Sequence, residues 1–177
     1  MFEGCSNLET LILGTNYSKA STTASMFEGC AKLTSVKTLN TSGTETTQTL
    51  SNTTDMSRMF YGCESLTAIP ACFTLSSSLV TSVKEMFANC NFTSLDCSAF
   101  NSAALLDADG FVDGCDNLTS LTFGTSFTGE SLTSTAFMGA NPSTALTITC
   151  KTALKTKLTT LQPALNGYSN LSWTTSD

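Results

Sequence analysis

The sequence predicts an α/β solenoid of about six coils, each with one short parallel strand and one short helical turn, closed by a C-terminal helical cap. Three observations predict it. A five-residue phrase recurs: MFEGC at Met1–Cys5 and Met26–Cys30, MFYGC at Met59–Cys63, and MFANC at Met86–Cys90. An apolar pattern of the form L-x-x-L-x-L follows each phrase at a nearly constant offset. The chain is also 41% apolar but only 12% charged, about half the usual charged share of a soluble domain. Ser and Thr, roughly a third of the residues, must supply the polar surface, and β-branched Thr suits a pleated strand.

The strand comes from the apolar pattern. Cys5, Cys30, Cys63, Cys90 and Cys115 are in register, with Ala140 in the same slot, mostly at intervals of about 25 residues, within the range of solenoid repeats. Leu8, Leu33, Leu66 and Leu118 follow three residues later, and Phe92 arrives one residue early. Next come Leu11, Val36, Ile69, Leu95, Leu121 and Leu146, and two residues beyond them Leu13, Thr38, Ala71, Cys97, Phe123 and Ile148. That final alternation buries one face and exposes the residue between.

The helical turn comes from the residues before each Cys. Met56, Met59, Phe60 and Cys63 recur at three to four positions, as on one side of a helix. Thr22, Asp55, Ser82 and Asp107 stand four before the Met slot and are N-cap types; Leu132 breaks the rule. Gly4, Gly29, Gly62, Gly114 and Gly139 suit a corner of positive φ or close backbone approach, with Asn89 in place of Gly in the fourth repeat. The second repeat is longer, and its extra residues, Asn40–Thr54, read as a surface loop. Pro70 has no N–H for a ladder, so pairing should be imperfect there.

One such coil cannot bury its own apolar side, so stacked coils need the same residues at the same places. The phrases MFYGCESLTAI, GCDNLTSLTF and VTSVKEMF resemble the repeats of BspA-like leucine-rich-repeat bacterial surface proteins. The resemblance covers nearly the whole chain. It implies a curved α/β leucine-rich-repeat solenoid on a microbial surface, in adhesion or recognition.

Residues 1–150 are expected to form the solenoid and 151–177 its cap. Leu154, Leu158 and Leu161 have helical spacing, Pro163 and Gly167 punctuate, and Leu171 and Trp173 are expected to tuck against the helix. End coils need such cover. Met1 falls inside a repeat, so the sequence is expected to be part of a longer polypeptide or a trimmed chain.

Several chemistries find little support in the residues. There is no His, which removes the commonest general base and most zinc chemistry; a non-enzymatic protein without cofactor or metal is expected. The net charge is -6 and no stretch is basic, so nucleic acid is not an expected partner. No apolar run approaches the roughly 18 residues of a membrane span. The Cys column reads as buried thiols, with Cys72 and Cys97 the pair to test for a disulfide. Asp107, Asp109, Asp113 and Asp116 hint at a calcium loop but lack its remaining ligands, and Asp107 is in register with Asp55 as a cap. N-x-S/T triplets begin at Asn16, Asn40, Asn52, Asn91, Asn117 and Asn170, as expected by chance in so Thr-rich a chain.

The candidate ligand-binding face is the exposed side of the strands: Glu9, Thr10, Ile12, Thr34, Ser35, Lys37, Thr67, Thr93, Ser94, Asp96, Thr119, Ser120, Thr122 and Thr147. Ala68, Pro70, Thr144 and Ala145 complete the sets. The third member of each set varies, as a binding surface would; equally, the hydroxyls simply solvate the sheet and pair across strands. Two functions compete. One is a non-catalytic recognition or adhesion module of an extracellular, cell-surface protein that binds a protein or glycan receptor. The other is a structural or receptor-binding segment of a phage or surface fibre, assembled with other chains.

Overall fold

Alternating burial makes strands of the L-x-L segments. A computed structural model describes the chain except Asn16, Ser102, Ser134, Thr135, Ala140 and Asp177. Ala140 in the Cys slot and the triplet at Asn16 therefore lie outside the described residues. The elements in order are β1 (Thr10–Leu13), β2 (Ser35–Thr38), β3 (Gln48–Thr49), β4 (Phe73–Thr74), β5 (Ser94–Cys97), β6 (Ser120–Phe123), β7 (Leu146–Lys151), α1 (Thr152–Leu161) and β8 (Leu171–Ser176), with 3-10 turns at Tyr17–Lys19 and Pro163–Gly167. The strands form three small parallel sheets: β1-β2, β3-β4 and β5-β6-β7-β8. Leu95 and Cys97, Leu121 and Phe123, and Leu146 and Ile148 point into the core, while Ser94 and Asp96 are exposed.

Each Cys is preceded by consecutive tight turns, where the spacing suggested a helical turn. Met26 N donates to Thr23 O and Cys30 N to Phe27 O, both three residues back. Every second N–H leaves the repeat altogether: Ser25 N donates to Ser57 O, Phe27 N to Met59 O and Gly29 N to Tyr61 O. A helix would spend those donors internally. Two successive turns also return to one face every three to four residues, which is why the pattern imitates a helix. Thr22, Asp55, Ser82 and Asp107 keep the local role of a cap, accepting a bond from the N–H two residues on. They also bridge one another in parallel, Thr22 to Asp55 to Ser82 to Asp107.

The turns need left-handed backbone twice per repeat. One position is the Gly before Cys, with Gly62 at φ 67° and Asn89 at 57°. The other lies five before Cys and is held by Ser25, Arg58, Glu85 and Gly110. Gly139 adopts no positive φ; a Cβ there would come within 2.8 Å of an Asp113 carboxylate oxygen, so close approach is what it serves.

Equivalent side chains lie on one another. Phe2, Phe27, Phe60 and Phe87 stack in sequence, with ring centroids 5.4–5.9 Å apart and planes within 15°. The fifth repeat puts Phe111 in the Met slot and Val112 in the Phe slot, so Phe111 meets Phe87 edge-on, at 83°. The thiols form a second column. Cys30, Cys63, Cys90 and Cys115 donate to the carbonyls of Phe2, Phe27, Phe60 and Phe87, at 3.0–3.2 Å.

Three segments depart from the simple pattern. The inserted Asn40–Thr54 is a loop only in its first half. Gln48, Leu50 and Thr53 are buried, and β3 pairs with β4. The third repeat has no strand at Thr67–Ala71; its strand, β4, begins at Phe73, beyond Pro70. Finally, Leu154 and Leu158 of α1 are buried, and Leu171 and Trp173 belong to β8, which pairs with β7 along its whole length. Sheet pairing thus crosses the expected boundary at residue 150.

Candidate functional site

The strand face is built by the same alternation that fills the core. Its most exposed members are Glu9, Thr10, Ile12, Thr34, Lys37, Thr67, Thr93, Ser94, Asp96 and Thr119; Ser35, Ser120, Thr122 and Thr147 are half-buried. The first Thr of each set is largely occupied by the backbone. Thr34 Oγ1 donates to Glu9 O at 3.0 Å, Thr119 Oγ1 to Thr93 O at 2.9 Å and Thr144 Oγ1 to Leu118 O at 3.1 Å. These hydroxyls tie one repeat to the preceding one. The variable positions are freer. Lys37 Nζ pairs with Glu45 Oε1 at 2.5 Å, with both side chains more than half exposed. Asp96 accepts a bond from Ser98 N at 2.8 Å, and hydrogen bonds from the Ser98 side chain and backbone hold its carboxyl below the usual range.

The structure distributes the predicted residues over two sheets and a gap. Ile12 lies beside Lys37 in the first sheet, and Asp96 beside Thr122 in the last. Thr147, expected in line with Thr122, lies instead beside Ser120, because β7 pairs two residues further along: Leu121 faces Ile148, and Thr122 faces Thr149. A slip of two keeps every side chain on its own face. Thr67 sits on no strand. Thr149, Ser172 and Thr174 also join the face. The 25-residue step from Leu146 to Leu171, with alternation in LTITC and LSWTT, is the signal that would have revealed them.

Between the sheets the face opens into a cleft. A cavity of about 480 Å³ lies between β2 and residues 66–72, with Glu45, Thr46 and Thr47 at one end. The two repeats are in contact at its start, where Ser65 N donates to Ala31 O at 3.0 Å. They then diverge around Ile69 and Pro70. A smaller cavity of about 220 Å³ lies on the other side of that segment, below Asp96 and Phe100.

No group of three or more Cys, Asp or Glu side chains among the described residues is arranged to hold a metal ion. The acidic run is used structurally: Asp107 Oδ1 accepts from Asp109 N, Asp109 Oδ1 from Ala136 N and Asp113 Oδ1 from Gly139 N. All eight Cys are free, Cys72 and Cys97 included. Burial pushes the Cys63 thiol up to about 12 and those of Cys72 and Cys115 to about 11, and raises Cys90 and Cys97 in the same sense. Cys5 is exposed. No described helix is long and apolar enough to cross a membrane.

The Mycoplasma proteins of unknown function, DUF285, match this chain over residues 1–100 and again over 34–138. The chain belongs to that family. Its two matches start one repeat apart, by the same step that separates Cys30 from Cys63. No curated protein and no solved structure matches the chain.

Proposed function

We propose that the chain is a non-catalytic recognition or adhesion module of a microbial surface protein, a BspA-like leucine-rich-repeat solenoid that binds a protein or glycan through its exposed strand face. The observation that carries this reading is the division of labour on that face. The repeated Thr hydroxyls are spent on backbone carbonyls, whereas Lys37 and Asp96 hold exposed charges where the repeats differ. Invariant positions hold the stack and variable ones are left for a ligand. DUF285 is associated with BspA-like surface repeat proteins, which supports the assignment. Absence of His and of an assembled metal cluster among the described residues leaves binding as the simplest use of the face.

The test is binding of the chain to panels of surface glycoproteins, matrix proteins and glycans, repeated with Lys37→Glu and Asp96→Lys. A receptor of this face loses about tenfold or more in affinity with at least one variant, about 1.4 kcal/mol. Unchanged affinity in both variants removes the strand face as the binding surface.

A further inference from the structure

We propose that the cleft between β2 and residues 66–72 takes up an extended peptide, which adds a strand to the open edge of β2; this rests on the recognition reading and names its ligand class. The edge is defined by the hydrogen-bond pattern. Ser35 N donates to Glu9 O and Leu39 N to Leu13 O, so residues 35, 37 and 39 spend their main-chain groups on β1. Alternation turns the N–H and C=O of Val36 the other way, into the cleft that Val36 lines. β2 has no strand on that side among the described residues. The carbonyl of Thr38 is satisfied by Thr46 N, which closes the edge beyond Lys37. What remains is a free edge of Ser35–Lys37, about 10 Å long at about 3.3 Å per residue.

The opposite wall cannot close the gap itself. It passes through Pro70, which has no N–H to give, and its strand pairing starts only at Phe73. The form of the cleft selects the occupant. The edge is recessed between Glu45–Thr47 and Thr67–Ala71, so a second folded sheet is too wide to reach it, and a single strand fits. Val36, Leu66 and Ile69 offer apolar floor to one set of alternate side chains, and Thr67 offers a hydroxyl at the rim. Lys37 and Glu45, paired with each other, stand at the mouth, where a ligand's own acid and base can join the pair. The matched ligand is therefore a β-branched strand with one acidic and one basic residue, held by main-chain bonds and sorted by its side chains.

The experiment follows amide exchange by NMR in the intact chain, with blocked peptides of alternating Thr and Val that carry one Glu and one Lys. In the free protein the Val36 amide exchanges fast and the Lys37 amide slowly. Saturating peptide slows Val36 about tenfold or more, with a Kd of about 1 mM or tighter. Ala68→Trp or Ala71→Trp, each on an exposed wall residue, abolishes that protection while thermal melting shows the fold retained. The inference is overturned if Val36 is already as protected as Lys37 in the free chain, if no such peptide binds, or if both Trp variants bind normally. Protection that rises with protein concentration alone would assign the edge to a second copy, and also overturns it. Receptor binding sensitive to Asp96→Lys but not to the Trp variants would sink this inference and leave strand-face recognition standing.

Discussion

Single residues show how closely the core is specified. Thr23 occupies a slot that Met56, Val83 and Ala108 fill elsewhere, and its hydroxyl is buried without a hydrogen-bond partner. Thr23→Val removes that unpaired group at nearly constant shape, and should stabilise the chain by about 1 kcal/mol, or a few degrees in Tm by calorimetry. The thiols make a pH prediction. Burial raises Cys63 to about 12 from its ordinary 9.0 and raises Cys72 and Cys115 in the same sense. The folded chain then holds protons that the unfolded chain has released, so this contribution is fully present below about pH 9 and is lost as pH rises towards 12. Urea unfolding against pH should show a decline confined to that alkaline window. A thiol reagent at pH 8 should meanwhile modify exposed Cys5 well before Cys63 or Cys90. Disulfide chemistry at Cys72 and Cys97 would alter this order, and both are free.

At the scale of the element, the corner before each Cys is a conformational requirement more than a packing one. A Cβ on Gly62 would meet nothing closer than 3.8 Å, yet its φ is 67°. Gly62→Ala should therefore cost about 1–2 kcal/mol in chemical denaturation without disturbing a neighbour. The Gly before Cys was legible in the sequence because Gly announces positive φ. The second left-handed position was not, because Ser25, Arg58 and Glu85 carry no such mark. Arg58 is held there by its surroundings: it pairs with Glu28 at 2.5 Å and Glu85 at 2.6 Å, on adjacent repeats, and lies over the Tyr61 ring. The register of β7 was missed for a related reason. A two-residue slip preserves the alternation of faces, so apolar spacing alone cannot distinguish the two pairings.

Across the whole molecule, stability is shared between neighbouring repeats. Phe rings, thiols and turn amides each bond or pack to the next repeat, so loss of an end should propagate. Removal of residues 152–177 strips α1 and β8 from β7 and uncovers Leu146, Ile148 and Cys150. That truncation should shorten the cooperative unit, lower the urea m-value, and increase binding of a hydrophobic dye. The break between sheets divides the strand face into a first sheet bearing Ile12 and Lys37 and a last sheet bearing Asp96 and Thr122. A ligand wide enough to meet both sheets would touch all four residues, whereas the proposed strand needs only the cleft between them.

The recurring MFxGC phrase and the L-x-x-L-x-L that follows it were enough to identify most interior side chains, because burial depends on a local period of two or three that the sequence displays openly; in the third repeat, where Pro70 prevents the strand, the alternation reverses, with Pro70 buried and Ala71 exposed. Whether a period-three stretch is a helix or two turns, whether Asn40–Thr54 stays outside, and which strand edge is left open depend on where backbone N–H groups find acceptors. Those acceptors lie one repeat away, 24 to 34 residues along the chain. A partner chosen by proximity in space leaves no spacing to read, so it emerged only when the repeats were set against one another.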